Sequence, residues 1–162
     1  MSRNATVRAV THGDAAVISA LAIRSKASWG YSDEFMKACR KELTVTESQI
    51  ESADHEFFIC EAEGKIVGFY ALQFLSNNDA ELEALFVEPE MIGRGFGRTL
   101  IEHAKLRAIA LGIRRMVIQG DPNARAFYEA AGGVRDGQRE SISIPGRFLP
   151  VYRIEICNNN GD

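Results

Sequence analysis

The spacing of apolar residues in the N-terminal third predicts one short strand followed by two helices. Residues Thr6 to Val10 favour a strand, and Thr11 with Asp14 forms a capping-box pattern that would start a helix. The apolar residues after this box recur at helical spacing and are Val17, Ile18, Leu21 and Ala22. Ser32 can cap a second helix. The apolar face of that helix would comprise Phe35, Met36, Cys39 and Leu43.

Downstream of residue 55 the spacing of apolar residues becomes typical of strands. The segment Phe57 to Cys60 is apolar on both faces, as a central strand requires. After a turn at Glu63-Gly64, Ile66 to Leu72 reads as its antiparallel partner. Ala80 to Val87 would form a third strand, which Pro89 ends because proline cannot donate to a ladder.

The C-terminal half predicts alternating helices and strands. Its segments are a helix over about residues 95–111, a strand at 116–118, a helix over 123–131 and strands at 134–140 and 151–156. The buried stripe of the long helix would comprise Leu100, Ile101, Ala104, Ala108 and Leu111. The order β-α-α-β-β-β-α-β-α-β-β predicts a mixed α/β sheet, mostly antiparallel and flanked by helices. A right-handed parallel crossover should join the strands at 80–87 and 116–118.

Composition fits one globular domain over residues 1–162, with 158–162 expected to be disordered. The net charge of −3 and the lack of a basic run argue against a nucleic-acid partner. No secretory signal and no apolar run of about 20 residues occur, so we expect a cytoplasmic protein without a membrane partner. The three cysteines, Cys39, Cys60 and Cys157, suit reduced thiols packed as small apolar residues.

Metal-binding motifs are not apparent in the sequence. It contains neither Cys-x-x-Cys nor His-Glu-x-x-His, and we expect no metal. The histidines His12, His55 and His103 are scattered, and we interpret them as solvated or structural residues.

Three glycines at alternate positions, Gly93, Gly95 and Gly97, lie between a predicted strand and the long helix. Glycines at the start of a helix leave backbone N–H groups approachable, and these groups with the helix dipole bind anions such as a pyrophosphate. Arg94 and Arg98 add positive charge. The nucleotide P-loop and the G-x-G-x-x-G dinucleotide motif do not fit this spacing. A purely structural turn is the alternative.

The stretch from Ala80 to Arg98 resembles the acetyl-CoA motif of the GNAT superfamily of N-acetyltransferases. That motif is a strand ending in Val-x-Pro, followed by Arg/Gln-x-x-Gly-x-Gly/Ala. Gly95 and Gly97 match its two glycines, whereas Ile92 stands where Arg or Gln is usual. The segment Asn123 to Gly132 is similar to the second cofactor segment of the family.

The resemblance implies a GNAT-like acyl-CoA N-acyltransferase fold with acetyl-CoA as co-substrate. It places the cofactor against Leu85, Phe86, Val87, Ile92, Gly93, Arg94, Gly95, Phe96, Gly97, Arg98, Asn123, Phe127 and Tyr128. Asn123 could cap its helix, contact the cofactor, or do both. In the family a bulge in the third strand exposes backbone donors for the thioester oxygen, and Phe86 or Val87 could supply one.

Transfer of an acyl group to an amine needs a base for the ammonium proton and an acid for the departing thiolate. Glu81 and Glu83, two apart on a strand, should share a face, and either is a candidate base, unless both belong to a solvated face. Glu81 aligns with the position that serves as the base in some family members. By resemblance the acid is Tyr128, and the alternative is an ordinary half-buried tyrosine with its hydroxyl in water.

The acceptor side is predicted from two segments. Trp29 and Tyr31 lie between the first two helices, where the family has its acceptor cleft, and Arg147 in a late loop could meet an acidic group. A packed helix junction would explain the same aromatic residues. The resemblance predicts an N-acetyltransferase acting on a small-molecule or peptide amine by direct attack in a ternary complex, and a homodimer is compatible with it. The alternatives are a non-enzymatic acyl-CoA sensor and a helix-mediated interaction protein.

Overall fold

The computed structural model describes residues 4–156 and shows helices on both faces of one mixed sheet. The helices are α1 (Ala15–Ala27), α2 (Asp33–Leu43), α3 (Glu47–Glu51), α4 (Phe96–Ala110) and α5 (Arg125–Ala130). The strands are β1 (Thr6–Ala9), β2 (His55–Ala62), β3 (Lys65–Phe74), β4 (Asp79–Val87), β5 (Arg115–Gln119), β6 (Val134–Glu140) and β7 (Phe148–Glu155).

The sheet has the order β1-β2-β3-β4-β5-β7-β6. Neighbouring strands are antiparallel except β4 and β5, which are parallel and joined through α4. The predicted mixed sheet, with one parallel crossover among antiparallel pairs, is therefore confirmed. Because β5 and β7 are neighbours, β6 lies at the edge of the sheet, where its residues are exposed.

Local hydrogen bonds explain where the first three helices start. Thr11 donates its backbone N–H to the Asp14 carboxylate at 2.9 Å, and a short 3₁₀ turn leads into α1. The Ser32 hydroxyl accepts from the Phe35 N–H at 3.1 Å and caps α2 as predicted. Thr46 forms a capping box that starts α3, inside the polar segment 44–54 whose apolar pattern predicted neither helix nor strand.

Two apolar clusters fill the space between the sheet and its helices. On one face, Ile18 and Leu21 of α1 and Leu43 of α2 pack against alternate residues of β2 and β3. On the other face, Leu100 and Ala104 of α4 pack with residues of β3, β4, β5 and β7. Cys39 and Cys60 are buried, free and in different clusters, as small apolar residues would be.

The element boundaries differ from the prediction at three points. Leu111 does not belong to the buried stripe of α4, because it follows the last helical residue and is 41% exposed. Strand β7 begins at Phe148, upstream of the predicted Val151. Helix α5 begins at Arg125 rather than near Asn123, which lies in a 3₁₀ turn. Cys157 and the expected disorder at 158–162 lie outside the described residues.

Candidate functional site

Strands β4 and β5 separate after three paired residues. Their parallel register covers only Asp79, Ala80 and Glu81 on β4. Beyond Glu81, β4 continues to Val87 without a partner on the β5 side, whereas β5 continues against β7. This separation opens the sheet at the carboxyl ends of two parallel strands, where ligands bind in α/β folds.

A β-bulge lies in β4 next to this opening. Ala71 of β3 pairs with Ala84 and Leu72 pairs with Leu82, so Glu83 is the extra residue. The bulge breaks the strict alternation of the strand. Leu82 and Leu85 therefore pack into the α4 cluster, whereas Ala84 and Phe86 pack into the α1–α2 cluster. Bulges often redirect side chains beside active sites, and this one lies in the strand for which the resemblance implied a bulge.

The glycine turn forms the start of α4. Gly95 is its N-cap at φ 90°, a left-handed conformation that glycine adopts without strain. The N–H groups of the first helical turn have no helical acceptor and carry the positive end of the helix dipole. Arg98 in this turn is exposed and forms no ion pair within residues 4–156, whereas Arg94 contacts Glu63 at 3.7 Å. These donors and the Arg98 charge could therefore hold an anion.

Helix α5 brings the second predicted cofactor segment against the first. A Cβ atom on Gly97 would lie 3.1 Å from the Phe127 ring, so the missing side chain lets α5 approach the start of α4. Tyr128 is 7% exposed and packs on Tyr152 at a centroid distance of 5.7 Å. Gly120 leaves room for the Tyr128 ring, since a Cβ atom there would lie 3.2 Å away. The two segments therefore meet around the open end of the sheet.

The hydroxyl of Tyr128 carries its proton at neutral pH, as that of a solvated tyrosine does. Loss of solvent, with the nearby Asp121 carboxylate, raises the pKa of the Tyr128 hydroxyl well above its usual value. The raised pKa makes the hydroxyl a weaker proton donor than a solvated tyrosine. Its place on the cavity wall, rather than this shift, makes Tyr128 a candidate general acid.

The two glutamates of β4 have different partners. Glu81 Oε1 lies 2.9 Å from Nη1 of Arg139, which comes from the edge strand β6. Glu83 Oε2 lies 3.3 Å from Nε2 of His55 on β2. Burial raises the pKa of the Glu83 carboxyl and the charge of Glu81 adds to this, while His55 opposes it.

On the acceptor side, Tyr31 is held in a polar cluster. Its hydroxyl donates to Asp121 Oδ2 at 2.7 Å and accepts from Arg147 Nη2 at 2.9 Å. The same Asp121 carboxylate accepts from the Asn123 backbone N–H at 2.9 Å and from Lys26 Nζ at 3.4 Å. Burial and Asp121 raise the pKa of Tyr31 to about 12. Arg147 thus serves to join three loops.

A cavity of about 1070 Å³ connects the glutamates of β4, the glycine turn and Tyr128. It extends from the end of α1 and from α2, past the bulge, to the glycine turn and α5. The predicted residues that line it are Trp29, Glu81, Glu83, Leu85, Phe86, Val87, Ile92, Gly93, Gly95, Gly97, Arg98, Asn123, Phe127 and Tyr128. Four predicted site residues are not part of its wall, namely Tyr31, Arg94, Phe96 and Arg147.

Three charged or titratable residues of the site carried no signal that the sequence analysis used. Arg139 reaches Glu81 from a segment 58 residues away, and His55 reaches Glu83 from another strand. Asp121 precedes the predicted helix as Asp-Pro-Asn, and this is the pattern of a helix cap. Its side chain, rather than that of Asn123, caps the turn.

Within residues 4–156, no helix combines the length and apolar character needed to cross a membrane. The same residues contain no group of three or more His, Cys, Asp or Glu side chains arranged to hold a metal ion.

Comparisons with known proteins agree with this architecture. The model of the acetyltransferase (GNAT) family matches residues 20–133. An N-acetyltransferase of Methanocaldococcus jannaschii is 33% identical over 159 residues, which cover 92% of this chain and 67% of that protein. Spermidine N(1)-acetyltransferase of Vibrio cholerae is 26% identical, covering 98% and 96% of the two chains.

A solved structure is similar at the level of the fold. PaiA N-acetyltransferase of Thermoplasma acidophilum, in complex with coenzyme A, superposes with a TM-score of 0.74 at 18% identity. The match covers 94% of this chain and 99% of that one.

Proposed function

The chain belongs to the GNAT family of acetyltransferases, and we propose that it moves the acetyl group of acetyl-CoA to a primary amine of a small molecule or peptide. The observation that carries this proposal is the continuous cavity. The anion-binding turn at Gly95 lies at one end and the two glutamates of β4 lie along its wall, with Tyr128 also on the wall. A donor and an acceptor could therefore be bound together, as direct transfer requires.

The residues of the glycine turn fit the pyrophosphate of CoA. Backbone N–H groups at the start of α4 would bind its oxygens, and Arg98 is free to add charge. Ile92, 49% exposed, offers an apolar side chain where the family usually has a polar one, so the backbone would make most of the contacts. The separated part of β4 would receive the extended arm of CoA and could offer a backbone N–H near Phe86 or Val87 to the thioester oxygen.

The proposed chemistry assigns one role to each group. Acetyl-CoA supplies the acetyl group as a thioester. A glutamate of β4 accepts a proton from the ammonium group, because a free alkyl amine has a pKa of about 10.4 and is mostly protonated at neutral pH. Tyr128 donates its proton to the leaving thiolate, whose conjugate thiol has a pKa of about 8.5. Tyr128 and the glutamates lie along one cavity, so these steps need no large movement of the chain.

Direct attack is favoured over a covalent cysteine intermediate. Cys39 and Cys60 are 2% and 0% exposed, and neither lines the cavity. Burial raises the pKa of the Cys39 thiol and raises that of Cys60 to about 11, so their thiolates are scarce. Among the described residues there is therefore no activated thiol at the site.

We propose that Trp29 contacts the acceptor, while Tyr31 and Arg147 shape the cleft. Trp29 is 47% exposed and lines the cavity. Spermidine, the substrate named for the Vibrio cholerae relative, is a reasonable first acceptor to test.

Calorimetric titration with acetyl-CoA, followed by mass spectrometry with a panel of amines, tests the proposal. The panel should contain spermidine, free amino acids and peptides with a free N-terminus. We expect micromolar binding and a product heavier by one acetyl group. Binding without product from any amine would contradict the transfer reaction, and no binding would contradict the role of the glycine turn.

A further inference from the structure

Glu81 and Glu83 both line the cavity, but they are paired with different kinds of cation. Glu81 is bound to Arg139 at 2.9 Å, and its side chain is 20% exposed. A guanidinium keeps its charge at every pH of interest. The Glu81 carboxylate is therefore already engaged by a permanent cation, which leaves less of it available to an ammonium group.

The partner of Glu83 is the imidazole of His55 rather than a guanidinium. His55 Nε2 lies 3.3 Å from Glu83 Oε2, close enough for an N–H to orient the carboxylate. Partial burial raises the pKa of Glu83, which makes this carboxylate a stronger base than a fully solvated glutamate. Glu83 is also the bulged residue of β4, and a bulge redirects a side chain.

The side chain of His55 has one polar contact within residues 4–156, the contact to Glu83. Its side chain is 13% exposed, and its ring stacks on Phe57 at a centroid distance of 6.0 Å. Its Nδ1 is buried without a hydrogen-bond partner in the part of the chain described. A buried polar atom left without a partner costs free energy and calls for a functional explanation. In residues 4–156, Glu83 is the one carboxylate within 4.0 Å of its ring nitrogens.

We propose that Glu83 accepts the proton of the acceptor ammonium group and that His55 is its positioning residue. His55 would donate Nε2–H to one carboxylate oxygen and leave the other for the amine or a bridging water. The groups that set this charge balance are Glu81 beside Glu83 on β4, and Arg139 of β6, which neutralises Glu81. This inference rests on the proposed function, because it assigns the base of that reaction.

The proton and electron balance of the step is complete. The ammonium N–H bond breaks and its proton goes to Glu83, and the freed nitrogen pair forms the bond to the acetyl carbon. The carbon–sulfur bond breaks with its electron pair on sulfur, which takes the proton of Tyr128. The second ammonium proton, released as the amide forms, returns to Tyr128 through solvent. Glu83 then releases its proton, so one proton appears per turnover.

The test compares kcat/KM between pH 5.5 and 9.5 for the parent and five variants, with the best amine of the panel. We expect kcat/KM of E83Q to fall about 100-fold or more, the usual contribution of a general base, and its pH profile to lose the acidic limb. For E81Q we expect kcat/KM to fall at most about tenfold. The acidic limb of E81Q should lie at lower pH than that of the parent, because the Glu81 charge raises the pKa of Glu83. E90Q, an exposed glutamate outside the cavity wall, is the matched control and should equal the parent.

The role of His55 is tested by replacements that keep its volume or its donor. H55F retains a ring against Phe57 but cannot donate, so the acidic limb should move to higher pH and the rate should fall about tenfold. H55Q can donate an N–H and should recover part of that loss. Acetyl-CoA affinity and thermal melting should be unchanged in both variants. An H55F profile identical to that of the parent would remove the positioning role.

The outcomes separate this inference from the function on which it rests. A parent enzyme that acetylates no amine contradicts the proposed function. An active parent with E83Q equal to E90Q, or with E81Q more damaged than E83Q, contradicts only the assignment of Glu83. If E83Q does not fold, E83D serves instead. It should keep the acidic limb but lose at least about tenfold in rate, because its carboxylate is one methylene short, and an unchanged rate would overturn the assignment.

Discussion

Replacement of Tyr128 by phenylalanine separates catalysis from folding more cleanly than any other change at this site. The Tyr128 hydroxyl has no hydrogen-bond partner within residues 4–156, so its removal breaks no internal bond. The ring contacts with Phe127 and Tyr152 remain. We therefore expect the melting temperature to change by less than about 2 °C, which corresponds to less than about 1 kcal/mol for a chain of this size.

The expected effect of this change on turnover is large. Loss of a general acid lowers a rate about 100-fold or more, and 100-fold is about 2.7 kcal/mol in the barrier. The affinity for acetyl-CoA should stay within about threefold, since the phosphate contacts lie on α4. Thiol release measured with a chromogenic disulfide gives kcat, and calorimetry gives the affinity. An unchanged kcat would remove Tyr128 as the acid, and a fall in kcat accompanied by a melting point many degrees lower would indicate damaged packing instead.

Three further changes test the anion site, the first helix cap and the loop cluster. Gly95→Val should abolish acetyl-CoA binding, as measured by calorimetry. A left-handed φ of 90° costs a β-branched residue about 1–2 kcal/mol, and the valine side chain would cover the backbone donors. Retained affinity would reject this site. Asp14→Asn should cost about 1 kcal/mol in urea unfolding at pH 7. Arg8 holds the pKa of Asp14 down to about 2, so this stabilisation should persist down to pH 3.8, the unperturbed value, and disappear as the pH falls towards 2; a difference unchanged at pH 2 would contradict the pairing. Asp121→Ala should cost about 2 kcal/mol and lower the melting point by about 4–8 °C, because Tyr31 and Lys26 lose a shared carboxylate; an unaltered melting point would show that the cluster contributes nothing to stability.

Much of the fold was predictable because the spacing of apolar residues strongly indicates local secondary structure. The antiparallel pairing of β2 with β3, the crossover through α4 and the cap at Ser32 all follow from residues close in sequence. The errors lie at element ends. Leu111 fits the helical period, yet Gly112 adopts a left-handed φ of 72° beside it and the helix ends at Ala110.

The candidate site was predictable only where geometry demands a particular residue. The glycines of the turn at the start of α4 could be identified because few other residues allow that backbone. The bulge at Glu83 could not be, since Glu81 and Glu83 have the same spacing with or without it. The opening between β4 and β5 depends on where pairing stops, and a strand that loses its partner shows no change in composition.

The partners of the charged residues depend on tertiary structure. From its sequence context Arg147 is a cation available to an acidic acceptor, whereas in the structure it contacts Tyr31 and Asp121. A side chain that already has partners must give up those contacts before it can bind anything else. The availability of a charge can therefore be judged only after its neighbours are known.

The charged side chains that line the cavity indicate which kind of acceptor the cavity favours. At the glycine turn, Arg98 and the helix dipole present unneutralised positive charge, which suits a pyrophosphate. Away from that turn, the wall carries four carboxylates, Glu42, Glu81, Glu83 and Asp121, against three basic side chains, Lys26, Lys41 and Arg139. Each end thus favours a ligand of the opposite charge, and in a cavity of low dielectric this preference is stronger than in water. An anionic donor would bind at one end and a cationic amine at the other, and the excess carboxylate that attracts the amine is the group that can take its proton.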